Sequence, residues 1–179
     1  MDRVRFRGLP SFPFGSSLWE INLRTYVRVN GVPGIYFFTL ETPHRLANWI
    51  ARNFFDLPYR DAKIEASISD TGYQMEVMGL DAKYDPYRLR LHASAEAESS
   101  ASDFQEWITE RYHLFVEKDG STIRGDVFHE PWAVRRAIVS SLEGGFSILK
   151  SVPDLGHLEP CFFASPLRVR FAPFRKLAG

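Results

Sequence analysis

The sequence has little of several features that mark whole classes of protein. It has one cysteine, Cys161, among 179 residues, so no disulfide can form within the chain. It has no excess charge, since 22 basic residues balance 22 acidic ones, and no apolar run long enough for a signal peptide or a membrane span. A neutral chain lacks the field that concentrates polyanions. We therefore expect a cytoplasmic protein that binds neither nucleic acid nor membrane.

Motifs of common catalytic and metal centres are also missing. There is no phosphate-cradling glycine loop, no nucleophile elbow and no pair of carboxylates at catalytic spacing. The five histidines show neither helical pairing with an acidic residue nor a thiolate cluster. We therefore expect no metal ion and no cofactor, and no reaction follows from a motif.

Aromatic residues are abundant, and their 15% share, with 15 Phe, favours wide β layers over a helical bundle. Short alternating segments and turn signals such as Asn30-Gly31 and Asp119-Gly120 predict eight to ten strands. The length fits one domain, residues 1–179, with a substantial core. These features predict a mainly β (β-rich α+β) protein, built as an antiparallel β-barrel or double sheet with two or three small peripheral helices.

The segment after Thr42 predicts one of these helices. Its apolar residues recur at helical spacing: Leu46, Trp49, Ile50 and Phe54. The preceding strand, 35–40, is apolar on both faces and needs cover on both sides. We expect the apolar stripe of the helix to provide that cover.

Segment 19–29 predicts a strand with two different faces. One face is mainly apolar, from Ile21 to Val29, and the other is polar. The polar residues are Glu20, Asn22, Arg24, Tyr26 and Arg28. This polar side is either a solvated outer surface or the wall of a polar cavity, and the pattern alone favours the surface.

Ordered motifs along the chain resemble the YqjF-like family of uncharacterised bacterial proteins. They occupy residues 19–27, 34–40, 51–52, 57–60, 104–112 and 129–132. That family in turn resembles acetoacetate decarboxylase in fold. The resemblance implies a β-barrel with a central cavity, a polar face of segment 19–29 that points inward, and Glu20 at the position of a cavity glutamate.

One departure from the decarboxylases bears on mechanism. Those enzymes use a lysine that forms a Schiff base, whereas the residues after Pro58 here are Tyr59 and Arg60. A guanidinium stays protonated and cannot serve as the amine nucleophile. Lys63 follows three residues later, and we expect it to point outward into solvent. The Schiff-base mechanism therefore does not carry over.

Two functions remain open. The first is a small-molecule binding barrel, which could be an enzyme that acts on a carbonyl or carboxylate metabolite without a Schiff-base lysine. Glu20 would then be an acid, a base or a polar anchor, and the ligand-binding candidates are Asn22, Arg24, Tyr26, Arg52 and Tyr59. The second is a non-catalytic structural or interaction protein with a buried polar network around Glu20. A void beside Glu20 would distinguish them.

The start of the chain gives a further expectation. Longer family members carry additional strands before the segment equivalent to residues 3–10, so the barrel is expected to be shortened at its N-terminus. Strand edges that lack a partner invite pairing with another chain. We therefore expect a homodimer with residues 3–14 at or near the contact.

Overall fold

The computed structural model describes residues 19–69, 72–80, 88–95, 102–144, 161–164 and 169–177. These ranges form eleven strands and two helices, and neither helix has the length and apolarity needed to cross a membrane. In chain order the elements are β1 (Ile21–Val29), β2 (Val32–Thr42), α1 (Arg45–Phe55), β3 (Tyr59–Ser69), β4 (Gly72–Gly79), β5 (Arg88–Ala95), α2 (Asp103–Thr109), β6 (His113–Lys118), β7 (Ser121–Phe128), β8 (Val134–Gly144), β9 (Cys161–Ala164), β10 (Arg170–Phe171) and β11 (Arg175–Lys176). The prediction of a mainly β protein is confirmed. The expected contact segment 3–14 lies outside the described residues.

Two hairpins form at the predicted turns. β1 and β2 pair antiparallel through Asn30 and Gly31, whose φ angles are 49° and 80°. β6 and β7 pair in the same way through Asp119 and Gly120, at 49° and 68°. Two successive residues with positive φ match the twist of the flanking strands, which is why asparagine or aspartate followed by glycine favours this turn.

The sheet branches at β2. One edge of β2 pairs with β1 along its length. The other edge pairs first with β6, through Ile35 and Tyr36, and then with β3, through residues 40–42. Both of these pairings are parallel. One arm of the sheet therefore continues from β6 and the other from β3.

The sheet differs from the antiparallel barrel predicted above. Across the described ranges it is one mixed sheet in the order β10-β7-β6-β2-β3-β4-β5-β8-β9, and it does not close into a barrel. The pairing of β2 with β3 is parallel because the chain crosses over through α1 instead of turning back directly. Side chains alternate between the two faces of a strand whether its neighbour runs parallel or antiparallel. The sequence pattern therefore could not reveal that β2 and β3 are parallel.

One hydrophobic core cluster lies on one face of the β3 arm. Its buried residues are Ala62, Met75, Val77 and Leu89. Ile21 and Leu23 of β1 pack against them, which confirms the predicted core face for these two residues. The alternate residues of β1 therefore lie on the opposite face.

Helix α1 packs through a polar residue. Asn48 is fully buried, and its Nδ2 lies 3.1 Å from the carbonyl oxygen of Thr42, 3.0 Å from that of Arg60 and 2.7 Å from Oδ1 of Asp61. Three residues of the apolar stripe expected to cover the sheet are instead about half exposed or more: Leu46, Trp49 and Phe54. That expectation was wrong, because helical spacing defines a face without showing which face packs.

Candidate functional site

Glu20 lies just before β1, and both oxygens of its carboxylate accept hydrogen bonds. Tyr59 donates its hydroxyl to Oε2 at 2.8 Å, and Asn22 donates from Nδ2 to Oε1 at 3.3 Å. Leu40 of β2 pairs with Asn22 on one side and with Tyr59 on the other, so these three residues stand in one row across the sheet. Residues in such a row share a face. We call Glu20, Asn22 and Tyr59 the carboxylate cluster.

Burial has the largest effect on the pKa values of Glu20 and Tyr59 in the carboxylate cluster. It raises the pKa of Glu20 above the ordinary value of 4.5, although the hydrogen bonds from Tyr59 and Asn22 and the charge of Arg24 act in the opposite direction. Burial, together with the charge of Glu20, raises the pKa of Tyr59 well above 10.0. Tyr59 is therefore a neutral hydrogen-bond donor, and Glu20 is a carboxyl group with an increased affinity for a proton.

Arg52 supports this cluster from the last turn of α1. Its Nη1 donates to the carbonyl oxygen of Tyr59 at 3.0 Å. The hydrogen bond fixes the backbone that carries the Tyr59 side chain. Arg52, one of the ligand-binding candidates, thus lies beside the cluster and contacts its backbone.

Arg24 and Tyr26 continue the polar face of β1 away from Glu20. The guanidinium carbon of Arg24 lies 5.7 Å from the centroid of the Tyr26 ring, and the Tyr26 hydroxyl donates to the carbonyl oxygen of Ile108 at 3.2 Å. Arg24 is exposed, whereas Glu20 is half-buried. The polar face is therefore covered at one end and open at the other. The six residues predicted for the site thus fall into two groups of contacts, Glu20, Asn22, Tyr59 and Arg52 in one and Arg24 and Tyr26 in the other, and the charge of Arg24 acts on Glu20.

Two residues that the sequence analysis did not select reach this face from α2 and the loop after it. The Arg111 guanidinium carbon lies 5.8 Å from the Tyr26 centroid and 4.7 Å from that of Trp107. The ring centroids of Tyr26 and Trp107 are 4.6 Å apart. Both residues belong to the family motif 104–112, but nothing in that motif indicates that it packs beside β1.

The later family motifs meet in a second cluster. Tyr112 donates its hydroxyl to the carboxylate of Glu110, and the other carboxylate oxygen accepts the backbone N–H of Trp132 at 3.1 Å. The rings of Tyr112 and His129 stack with centroids 4.7 Å apart. The hydrogen bond to Glu110 raises the pKa of Tyr112 to about 12. These contacts hold the loop after β7 against the end of α2.

Lys63 lies outside the carboxylate cluster. Its Nζ is 2.6 Å from a carboxylate oxygen of Glu65, and 64% of its side chain is exposed. The hydrogen bond and charge of Glu65 raise the pKa of Lys63. An amine nucleophile needs a lowered pKa to be neutral at physiological pH. This geometry agrees with the expected outward lysine.

A depression of about 540 Å³ lies elsewhere, on the outer face of β3, β4, β5 and β8, and Glu20 is not among its lining residues. Its charges are paired, since Glu76 lies 3.5 Å from Arg90, and Arg90 lies 3.6 Å from Glu143. This depression is therefore not the void that would distinguish the two functions. In the part of the chain that the structure describes, no group of three or more His, Cys, Asp or Glu side chains is placed to hold a metal ion.

The fold and the site define a mainly β protein with a branched mixed sheet and a glutamate–tyrosine pair beside the branching strand. The chain belongs to the DUF2071 family of uncharacterized conserved proteins, whose family model matches residues 1–166. It is 37% identical over 140 residues to the uncharacterized protein YqjF of Bacillus subtilis (strain 168), and the match covers 76% of this chain and 57% of that protein. No solved structure matches the chain significantly. The resemblance to the YqjF-like family is thus confirmed, whereas the likeness to the acetoacetate decarboxylase fold stays a prediction.

Proposed function

We propose that this protein binds a small carbonyl or carboxylate compound and that Glu20 exchanges a proton with it. One observation carries the proposal: the 2.8 Å hydrogen bond between the Tyr59 hydroxyl and the Glu20 carboxylate, in a setting buried enough to raise both pKa values. A carboxyl group with a raised pKa suits general acid–base catalysis near neutral pH, and perturbed groups concentrate at functional sites.

The neighbouring residues support distinct roles in this proposal. Arg24 would attract the negative charge of a ligand, since its guanidinium is exposed and its charge already acts on Glu20. Arg52 would position Tyr59 through the backbone, and Asn22 would orient the carboxylate. The chemistry would be a proton transfer beside a carbonyl or carboxylate group, which needs no Schiff-base lysine.

The finer structural expectations belong to this proposal. They are a cavity beside Glu20, a fold related to that of acetoacetate decarboxylase, and a single domain over residues 1–179. The charge balance and the single cysteine support a cytoplasmic location, with neither nucleic acid nor membrane as a partner.

The test is a thermal-shift screen of small carbonyl and carboxylate metabolites. A ligand at 100 times its dissociation constant stabilises the folded state by about 2.7 kcal/mol. We expect a compound of this class to stabilise the natural protein and the Glu117→Gln control, whose substituted residue is exposed on β6. The same compound should stabilise Glu20→Gln much less. Equal stabilisation of all three proteins would contradict the proposed role of Glu20.

A purely structural role for the carboxylate cluster is the second candidate. It is favoured by one observation: both carboxylate oxygens of Glu20 already have partners within the chain. A satisfied buried network can rigidify a fold without any ligand. On this alternative, Glu20→Gln changes the free energy of unfolding, and no compound in the screen stabilises the natural protein.

A further inference from the structure

Two arginines from distant parts of the chain flank one aromatic ring. Arg24 comes from β1 and Arg111 from the loop after α2, and their guanidinium carbons lie 5.7 and 5.8 Å from the centroid of Tyr26. The Tyr26 hydroxyl is fixed by its hydrogen bond to the carbonyl oxygen of Ile108. The ring thus joins the polar face of β1 to α2 and brings two positive charges to the same place.

Within the described ranges neither Arg24 nor Arg111 forms an ion pair with a carboxylate. Arg111 donates from Nη1 to the carbonyl oxygen of Glu110 at 2.9 Å, but its Nε is buried and has no acceptor among the described residues. In contrast, Arg88 and Arg90 on the outer face both contact Glu76. Guanidiniums that lack a carboxylate partner attract anions.

An exposed aromatic surface adjoins the two charges. Trp107 is 48% exposed although it contacts both Arg111 and Tyr26, and Phe104 stacks near it with the centroids 6.2 Å apart and the planes at 17°. Large apolar rings that stay exposed beside cations provide a surface on which a flat ligand can pack.

We infer that Arg24, Arg111 and the exposed indole of Trp107 form a binding site for a small planar anion of the aromatic carboxylate class. The ring of the ligand packs against Trp107, and its carboxylate pairs with the guanidiniums. A small anion fits better than a polyanion, because the chain as a whole is neutral and has no long-range field to attract a nucleic acid.

This inference deepens the proposed function and rests on it in one respect, since both place a negative charge beside Arg24. It adds Arg111 and Trp107 as ligand-binding residues and names the class of ligand. It does not require that Glu20 exchange a proton. The two proposals can therefore fail separately.

The experiment is an NMR titration that follows the indole N–H signals of the four tryptophans, with Trp107→Phe used to assign one of them. The probes are benzoate, cyclohexanecarboxylate, which lacks the aromatic ring, and benzamide, which lacks the charge. We expect benzoate to shift the Trp107 signal and to bind at least about tenfold more tightly than benzamide, the difference expected for loss of one charge-assisted contact. Benzoate should also bind several-fold more tightly than cyclohexanecarboxylate, which cannot stack on the indole as an aromatic ring does.

Variants locate the anion. Arg111→Gln and Arg24→Gln should each weaken benzoate binding about tenfold, whereas Arg88→Gln, whose substituted residue lies on the outer face, should bind like the natural protein. If Arg111→Gln does not fold, Arg24→Gln, at an exposed residue, carries the test. Equal binding of the three probes, an absence of binding at millimolar benzoate, or a loss of binding in Arg88→Gln equal to that in Arg111→Gln would overturn the inference.

Glu20→Gln separates this inference from the proposed function. If it binds benzoate as tightly as the natural protein while Arg111→Gln binds about tenfold more weakly, the inference holds and the proposed role of Glu20 fails. Loss of benzoate binding in Glu20→Gln with unchanged binding in Arg111→Gln would instead place the anion at the carboxylate cluster and overturn the inference.

Discussion

At the scale of the residue, burial and hydrogen bonding have opposite effects on the pKa of Glu20. The hydrogen bonds from Tyr59 and Asn22 and the charge of Arg24 stabilise the carboxylate, yet burial outweighs them and the pKa of Glu20 is raised. The folded protein therefore keeps this proton at pH values where the unfolded chain has released it. The carboxylate cluster has a measurable effect on stability even without a ligand.

We predict that Glu20→Gln gains stability relative to the natural protein as the pH rises above 4.5, the ordinary pKa of the carboxyl group. Between that value and the raised pKa, unfolding releases a proton, so a higher pH favours the unfolded state of the natural protein. The glutamine amide does not titrate, and its oxygen can still accept the Tyr59 hydrogen bond. Urea denaturation of both proteins from pH 4 to pH 8 measures the difference.

The Glu117→Gln variant is the control for this series, since residue 117 is exposed and lies on β6. Its free energy of unfolding should follow that of the natural protein across the pH range. Parallel curves for Glu20→Gln and the natural protein would show that Glu20 is not desolvated in the folded state.

We predict that treatment with acetoacetate or pyruvate followed by borohydride leaves no reduced adduct on the protein. Lys63 is held protonated by its ion pair with Glu65, and Arg60 cannot form an imine. Intact-mass spectrometry measures the adduct, and Lys63→Arg serves as the control. Stoichiometric labelling that disappears in Lys63→Arg would restore a mechanism like that of the decarboxylases.

At the scale of the element, α1 and the strands around it hold the site together. Asn48 joins the helix to β2 and β3 through Thr42 and Asp61, and Arg52 joins it to the backbone of Tyr59. The helix therefore places the start of β3, and with it the Tyr59 hydroxyl, relative to Glu20. Its exposed apolar residues contribute little to this placement.

We predict that Asn48→Leu destabilises the fold by about 2 to 3 kcal/mol, because it leaves buried polar partners without a donor. Leucine has the same branching and the same number of side-chain non-hydrogen atoms as asparagine but cannot donate, so the main loss is one of hydrogen bonds. Chemical denaturation at neutral pH measures the change in the free energy of unfolding.

Asn53→Leu is the matched control, since Asn53 has the same side chain, lies on the same helix and is exposed. Among the described residues, its side chain donates to the carbonyl oxygen of Trp49 one turn earlier. Loss of this hydrogen bond should change the free energy of unfolding by less than about 0.5 kcal/mol. Equal effects of the two substitutions would show that Asn48 does not anchor the helix.

At the scale of the whole molecule, the branching of the sheet at β2 decides which segments meet. The arm through β6 brings motif 104–112 to the polar face of β1, and the arm through β3 brings Tyr59 to Glu20. The two arms share β1 and β2. A change in the packing of α2 should therefore reach Tyr26 without disturbing the core on the β3 arm.

The homodimer expected from the sequence stays a prediction. The exposed apolar residues of α1, Leu46, Trp49 and Phe54, give a second copy a surface to cover. Light scattering at micromolar concentration should give a mass near twice the 20.6 kDa of the chain. A mass near 20.6 kDa that does not rise with concentration would contradict the dimer.

The sequence by itself determined the features that depend on neighbours along the chain. Alternation identified the core face of β1 at Ile21 and Leu23, and local turn chemistry identified the hairpins at residues 30–31 and 119–120. The family resemblance predicts that Glu20 is a cavity residue, and Tyr59 is among the ligand-binding candidates.

Only the tertiary structure decided which distant segments lie together. The parallel pairing of β3 with β2 put Tyr59 within reach of Glu20, and the packing of α2 put Arg111 beside Tyr26. Asn48 became the anchor of α1 because carbonyl and carboxylate oxygens from two strands converge on its buried side chain. The physical reason is that side-chain periodicity records which face of an element is apolar, whereas strand direction, register and packing partner arise from contacts between residues far apart in the chain.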